Sequence, residues 1–241
     1  MKGSPKENLD YCSKQDANFF QFGELPQQGK RSDLISACEV IRSGQPLRSM
    51  IEEHGPTLVK YARGLTTYRS LCATPRDPSV PPRIFWLYGP TGTGKTKCAW
   101  ELALQLAGGI DGIWISSGSL RWFDGYDGQS VVILDDFRPK HVEFAFLLRL
   151  TDRYPLNVEF KGGHVPWRPS FIFFTSPDGI TSSFATRLEF RPEDIGQLER
   201  RIERSVHFPD GEADFRASFH GHGPGLQEGG HDVTTSGVPP P

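Results

Sequence analysis

At 241 residues, with 37% hydrophobic and 23% charged residues, the chain is long enough for one substantial core and too apolar to remain unfolded. A formal net charge of -2 argues against a wholly basic surface for nucleic acid, while leaving room for a basic channel in an otherwise acidic body. Four cysteines with no CxxC pair suggest neither a zinc site nor a disulfide framework, and no apolar run approaches the ~20 residues of a membrane span. A soluble, non-secreted protein with reduced thiols and no membrane partner is expected.

The first segment, NLDYCSKQDANFFQFGE (8–24), sets Tyr11 and Lys14 three residues apart, on one face if helical. A tyrosine oxygen beside a cation suits attack on a phosphate, but attack on DNA needs a divalent metal, and little chain precedes Tyr11 to hold one. Turn formers in LPQQGKRS (25–32) read as a linker. From Asp33, the positions Leu34, Ile35, Cys38 and Ile41 recur at helical spacing, with Ser32 or Asp33 placed to cap and Gly44 and Pro46 to terminate. Gly55-Pro56 is suited to opening a second helix, whose stripe is Leu58, Tyr61, Ala62, Leu65 and Tyr68. A small helical domain over 33–73 follows, and then a proline-rich linker over 74–82.

Strand-like runs RIFWLY, GIWIS, VVILDD and SFIFFT then alternate with helical stretches, which predicts an α/β domain over 83–206 with a parallel sheet. The first run leads into Gly89-Pro90-Thr91-Gly92-Thr93-Gly94-Lys95-Thr96, a match to G-x-x-x-x-G-K-[ST] between strand and helix. Such a loop turns backbone N–H groups toward a phosphate chain. Lys95 would reach the β and γ phosphates of ATP, and Thr96 would hold magnesium. Asp135 and Asp136 end the apolar run VVIL; we assign Asp135 to magnesium and Asp136 to a base-like role, with the reverse order left open. Thr175 and Ser176, ending FIFFTS, are candidates to sense the γ-phosphate.

In NVEFKGGHVPW (157–167), alternation flanks Lys161-Gly162-Gly163, which predicts a hairpin with a lysine at its tip. That lysine suits a DNA phosphate, and an ordinary solvent-facing hairpin fits the pattern as well. QLERRIERSVHF (197–208) predicts a helix carrying Arg200, Arg201 and Arg204: either an arginine donated to a neighbouring subunit's nucleotide or a solvated face paired with Glu199 and Glu203. The Gly- and Pro-rich stretch 207–241 is read as a disordered tail; it holds His220-Gly-His222, which alone has His-x-His spacing.

Strand plus GPTGTGKT, VVILDDF, RYPLNVEFKGG, FIFFTSP and LERRI, in that order, resemble the helicase half of replication-associated (Rep) proteins of small circular single-stranded-DNA viruses, circoviruses especially. GKRSDLISACEVIRSG and GLTTYRS resemble the segment joining the two halves of such proteins. KGSPKENLDYCSKQ is similar to the last of three motifs in the family's HUH nicking domain. The resemblance covers about residues 2–206, and its order and spacing are far more specific than any single motif.

It implies an AAA+-like superfamily 3 helicase behind an oligomerisation domain: a hexameric, ATP- and magnesium-dependent motor on single-stranded viral DNA, in the host nucleus. Full-length Rep would be a further partner. It implies that Lys161 is a pore lysine, that Arg200 or Arg201 acts in trans, and that Tyr11, accompanied by Lys14, is a nicking nucleophile in a remnant (1–24) of the endonuclease. Two departures stand out. Pro177 occupies a position where many relatives carry asparagine, leaving the sensor role to Thr175 or Ser176. The family's first nicking motif and metal-binding His-hydrophobic-His motif have no room before Tyr11, so nicking by this chain is not expected. The alternative is a non-catalytic, truncated Rep that oligomerises and regulates replication; a motor acting on protein is a third reading.

Overall fold

The computed structural model describes residues 5–14, 20, 22, 31–45, 47–116, 118–185 and 192–209. The expected tail from 210 onward, including His220 and His222, lies outside the described residues. By internal packing the chain divides into two units. The first takes in residues 1–81, 120–129 and 152–169, and the second 82–119, 130–151 and 170–241.

In the first unit α1 (Pro5–Ser13) carries Tyr11. Then α2 (Ser32–Arg42) packs on α3 (Ile51–Cys72) through Ala37, Ile41, Met50 and Leu65. The first helical expectation needs correction at its cap. Neither Ser32 nor Asp33 caps α2; Arg31 holds that position without a side-chain cap, and its guanidinium instead grips Asp33 at 3.1 and 2.8 Å. Helix α3 begins at Ile51 but is broken at His54 (φ -121°, ψ 16°), and Gly55-Pro56 opens the longer segment that follows, as expected, because a proline fits a first helical turn.

The hairpin of β4 (Asn157–Phe160) and β5 (Gly163–Pro166) belongs to this helical unit. Buried Trp167 meets the rings of Phe123 and Tyr126 at 5.2 and 4.8 Å between centroids, and Arg69 of α3 pairs with Asp127. Burial pushes the Tyr126 phenol up to about 12, so it stays neutral, and its oxygen accepts the Arg168 N–H at 3.1 Å.

The second unit is a five-stranded parallel sheet in the order β2-β3-β6-β1-β7, built from β1 (Arg83–Tyr88), β2 (Ile113–Ile115), β3 (Val131–Leu134), β6 (Phe171–Ser176) and β7 (Arg204–His207). Strands buried on both faces read as unbroken apolar runs, which is why VVIL and FIFF were legible. On one face Phe85, Leu87, Ile133 and Phe173 pack against Ala99 and Ala103 of α4 (Lys95–Ala107). On the other, Trp86 stacks on Phe174 at 4.9 Å and both meet Phe137 edge-on. Trp86 is wholly buried, and its truncation to alanine would cost about 3–5 kcal/mol. This unit also holds α5 (Phe144–Leu150), α6 (Ile180–Ala185) and α7 (Pro192–Glu199).

The predicted helix over 197–208 is overturned. Helix α7 stops at Glu199, and Arg204 opens β7, which pairs with β1 from Phe85↔Arg204 to Tyr88↔His207. The charged pattern ERRIER imitates a helix, yet β1's free edge offers backbone partners for an extended chain, and tertiary pairing overrides propensity. Glu203 binds Arg83 through two contacts of 2.8 and 2.6 Å, and Glu199 accepts from Thr181. Order continues past β7: Phe208 is buried, and its N–H donates to the Tyr88 carbonyl at 2.7 Å.

Candidate nucleotide-binding site

Parallel register brings three strand ends together. Tyr88 lies beside Ser176, and Leu134 beside Phe174, so the loop after β1, the acids after β3 and the hydroxyls ending β6 share one edge of the sheet. Ligands bind at such carboxyl ends in parallel α/β sheets.

The loop from Gly89 to Thr96 turns at Gly89, Gly92 and Gly94, all with positive φ, and Gly94 hands the chain to α4. Gly89 is required for a second reason. A Cβ there would collide with the Phe208 carbonyl oxygen, so the residue just past β7 forms a floor beneath the loop. Lys95 Nζ arches over the loop, donating to the carbonyls of Gly89 at 2.8 Å and Pro90 at 2.6 Å, with Thr93 Oγ1 at 3.5 Å. Partial burial lowers its pKa, against an opposing pull from Asp136 and Asp135. Pro90 and Thr91 form the exposed crest of the loop.

Asp135 is the hub. Its Oδ1 accepts the hydroxyl of Thr96 at 2.7 Å and that of Thr175 at 2.7 Å, while its backbone N–H donates to Ser116 Oγ at 3.2 Å. A hard carboxylate beside a threonine hydroxyl fits magnesium, which takes few protein oxygens and completes its shell with water and phosphate. Asp136 follows in the left-handed region (φ 42°), its N–H donating to Thr175 Oγ1 at 2.8 Å and its side chain largely exposed against Arg138 at 3.1 Å. Thus Thr175 touches both acids. Ser176 faces elsewhere: its Oγ accepts the Asp178 N–H at 3.3 Å, and its carbonyl holds the Gly89 N–H at 3.2 Å.

The two arginines part company. Arg201 turns inward, its guanidinium donating to the Leu148 carbonyl and lying 3.4 Å from Thr151 Oγ1, where it satisfies the last turn of α5. Arg200 is exposed and lines a surface cavity with Gly196, Gln197 and Glu199.

In the first unit, Lys161 sits at the exposed hairpin tip, followed by Gly162 (φ 117°) and Gly163, and Asp124 faces it. Tyr11 is 67% exposed on α1, and Lys14 lies just beyond the helix end. No trio of His, Cys, Asp or Glu able to hold a metal occurs among the described residues. Sequence reading missed Ser116, Arg138, Asp124 and the Phe208 floor. Only Arg138, two residues past an acid, carried any local signal.

Strand, glycine loop and helix, with an acid and a polar hydroxyl on neighbouring strand ends, define a P-loop nucleotide-binding fold. The family described as RNA helicase matches residues 85–177. The chain is 35% identical to the replication-associated protein of Human associated cyclovirus 1, over 83% of this chain and 70% of that one. Against the Goose circovirus counterpart identity is 34%, covering 88% and 68%. Against Porcine circovirus 1 it is 37%, covering 73% of this chain and about half (54%) of the relative. The chain belongs to the replication-associated proteins of circoviruses and cycloviruses, and carries their superfamily 3 helicase domain.

Proposed function

We propose that this chain hydrolyses ATP to move along single-stranded viral DNA. The observation that carries the reading is the single oxygen, Asp135 Oδ1, shared by Thr96 and Thr175. Hydrolysis needs a group that orients the metal and another that registers the γ-phosphate, and here one carboxylate links them. Thr96 and Asp135 would hold magnesium, which when bound neutralises charge on the β and γ phosphates. Gly89 to Thr96 would wrap the phosphates, with Lys95 leaving the loop carbonyls to meet them. Asp136, exposed beside the site, would accept a proton from the attacking water. Arg200 would reach a neighbouring subunit's γ-phosphate within a hexamer assembled through the helical domain, where α3 leaves Val59 and Leu71 exposed.

Because Thr175 supplies a sensor hydroxyl, Pro177 does not force the non-catalytic alternative. Lys161 would contact the DNA backbone, and the host nucleus would be the setting. Nicking at Tyr11 is not part of this reading; a covalent adduct with a labelled origin stem-loop in manganese would refute that. The decisive assay is DNA-stimulated, magnesium-dependent ATP hydrolysis that Lys95→Ala abolishes; full turnover by Lys95→Ala would sink the assignment.

A further inference from the structure

Asp124, in the 120–129 segment of the first unit, uses its two carboxylate oxygens differently. Oδ1 accepts the backbone N–H of Lys161 at 2.9 Å, whereas Oδ2 lies 3.6 Å from the Lys161 ammonium. One residue earlier, the Phe123 N–H donates to the Glu159 carbonyl at 2.8 Å, which lays the segment along β4 just short of the tip. Phe123 and Tyr126 are buried against Trp167, so the backbone on both sides of Asp124 is anchored. The acid therefore addresses the hairpin tip from a fixed base, while the two charged groups remain 74% and 48% exposed.

We propose that Asp124 is a positioning residue for DNA contact at Lys161: it fixes the tip through the backbone bond and holds the ammonium in an exposed ion pair that a phosphate displaces. The proposal rests on reading the hairpin as the DNA contact. An exposed pair at this separation is weak, so a phosphate replaces it readily. Yet Asp124 already serves as the counterion of Lys161. With the Asp124 carboxylate beside it, Lys161 brings little net positive charge to a phosphate, so fewer of the cations condensed on the DNA are released. Asp124 thereby lowers both the affinity of the contact and its dependence on salt. A strand advancing past the tip needs a contact that lets go.

The test compares the full chain with Asp124→Asn, Lys161→Ala and the double variant, measuring binding of labelled oligo-dT across a salt series. Asparagine keeps an oxygen to accept the Lys161 N–H, so the tip stays fixed and only the charge is lost. Asp124→Asn is expected to bind about two- to five-fold tighter. Its log-log salt slope should steepen by up to ~0.7 per engaged lysine. Lys161→Ala should weaken binding, and in that background Asp124→Asn should add nothing. Equal or weaker binding by Asp124→Asn, with Lys161→Ala still impaired, overturns the proposal; so does the same gain with Lys161 absent, which would be a general field effect. Unchanged binding by Lys161→Ala removes the hairpin reading and this inference with it, a pattern distinct from either of the others.

Discussion

The hydroxyl of Thr175 donates to Oδ1 of Asp135 across 2.7 Å, joining the carboxyl ends of adjacent strands β6 and β3. Because the Asp136 N–H returns to the same hydroxyl at 2.8 Å, one threonine orients the Asp135 side chain and the Asp136 backbone together. Thr175→Val keeps the shape and removes both bonds. Turnover should fall roughly 10- to 100-fold, the usual cost of losing an outer-shell partner. Nucleotide affinity measured without magnesium should change little. Ser176→Ala, whose hydroxyl accepts the Asp178 N–H, should keep near-normal turnover, and the ratio of the two rates checks the assignment.

Arg200 and Arg201 should separate in experiment as they do in space. Arg201→Ala strips a donor from a helix-end carbonyl and should destabilise the fold by about 1–3 kcal/mol, seen in denaturant melts. Arg200→Ala should melt like the parent but lose ATPase by a factor of ~10³ or more, as for an arginine supplied in trans. Mixing Arg200→Ala with Lys95→Ala subunits should restore some activity. No rescue at any ratio would speak against a shared site.

Gly89→Ala forces a Cβ into the Phe208 carbonyl and requires φ 143° of a residue that resists it. A loss of about 2–5 kcal/mol is expected in thermal or urea unfolding. Gly92→Ala, at φ 87° but with open space around its Cβ, should incur only the backbone part, roughly 1 kcal/mol. Equal losses at both positions would refute the close approach.

Acid should loosen β7. Hydrogen bonds from Arg83 lower the Glu203 pKa below its ordinary 4.5. A depressed carboxylate contributes stability that is complete above the unfolded value and lost as pH falls through the folded one. The pair is well exposed, so solvent screening limits it to at most about 1 kcal/mol. Glu203→Gln should flatten the stability profile below pH ~4.5 and leave neutral-pH stability only slightly reduced. Parallel profiles for the two proteins would discount the pair.

What could be read from the chain follows a physical division. β1, β3 and β6 announce themselves because burial on both faces demands apolar residues throughout, and the glycine loop does so because its backbone admits few alternatives. β7 is an edge strand with one buried side chain, Val206, so its sequence has little reason to look like a strand. Arg201 was indistinguishable from Arg200, because which of two neighbouring arginines turns inward depends on where α5 ends. The acids after VVIL were visible, but Ser116, which steadies Asp135, comes from a separate loop and obeys no spacing rule. Gly55-Pro56 was legible because a proline fits the first turn of a helix, and it opens the segment that follows the break at His54.

The floor that Phe208 provides beneath Gly89 has a consequence for how the protein is made. The phosphate loop leaves the ribosome more than a hundred residues before Phe208, on which its first glycine rests. β1 must wait for two later partners, β6 on one side and β7 on the other. A nascent chain stopped before residue 204 would therefore display the whole phosphate-binding signature without a supported pocket. Nucleotide capture then comes late in synthesis, close to the moment when the last strand slides into place.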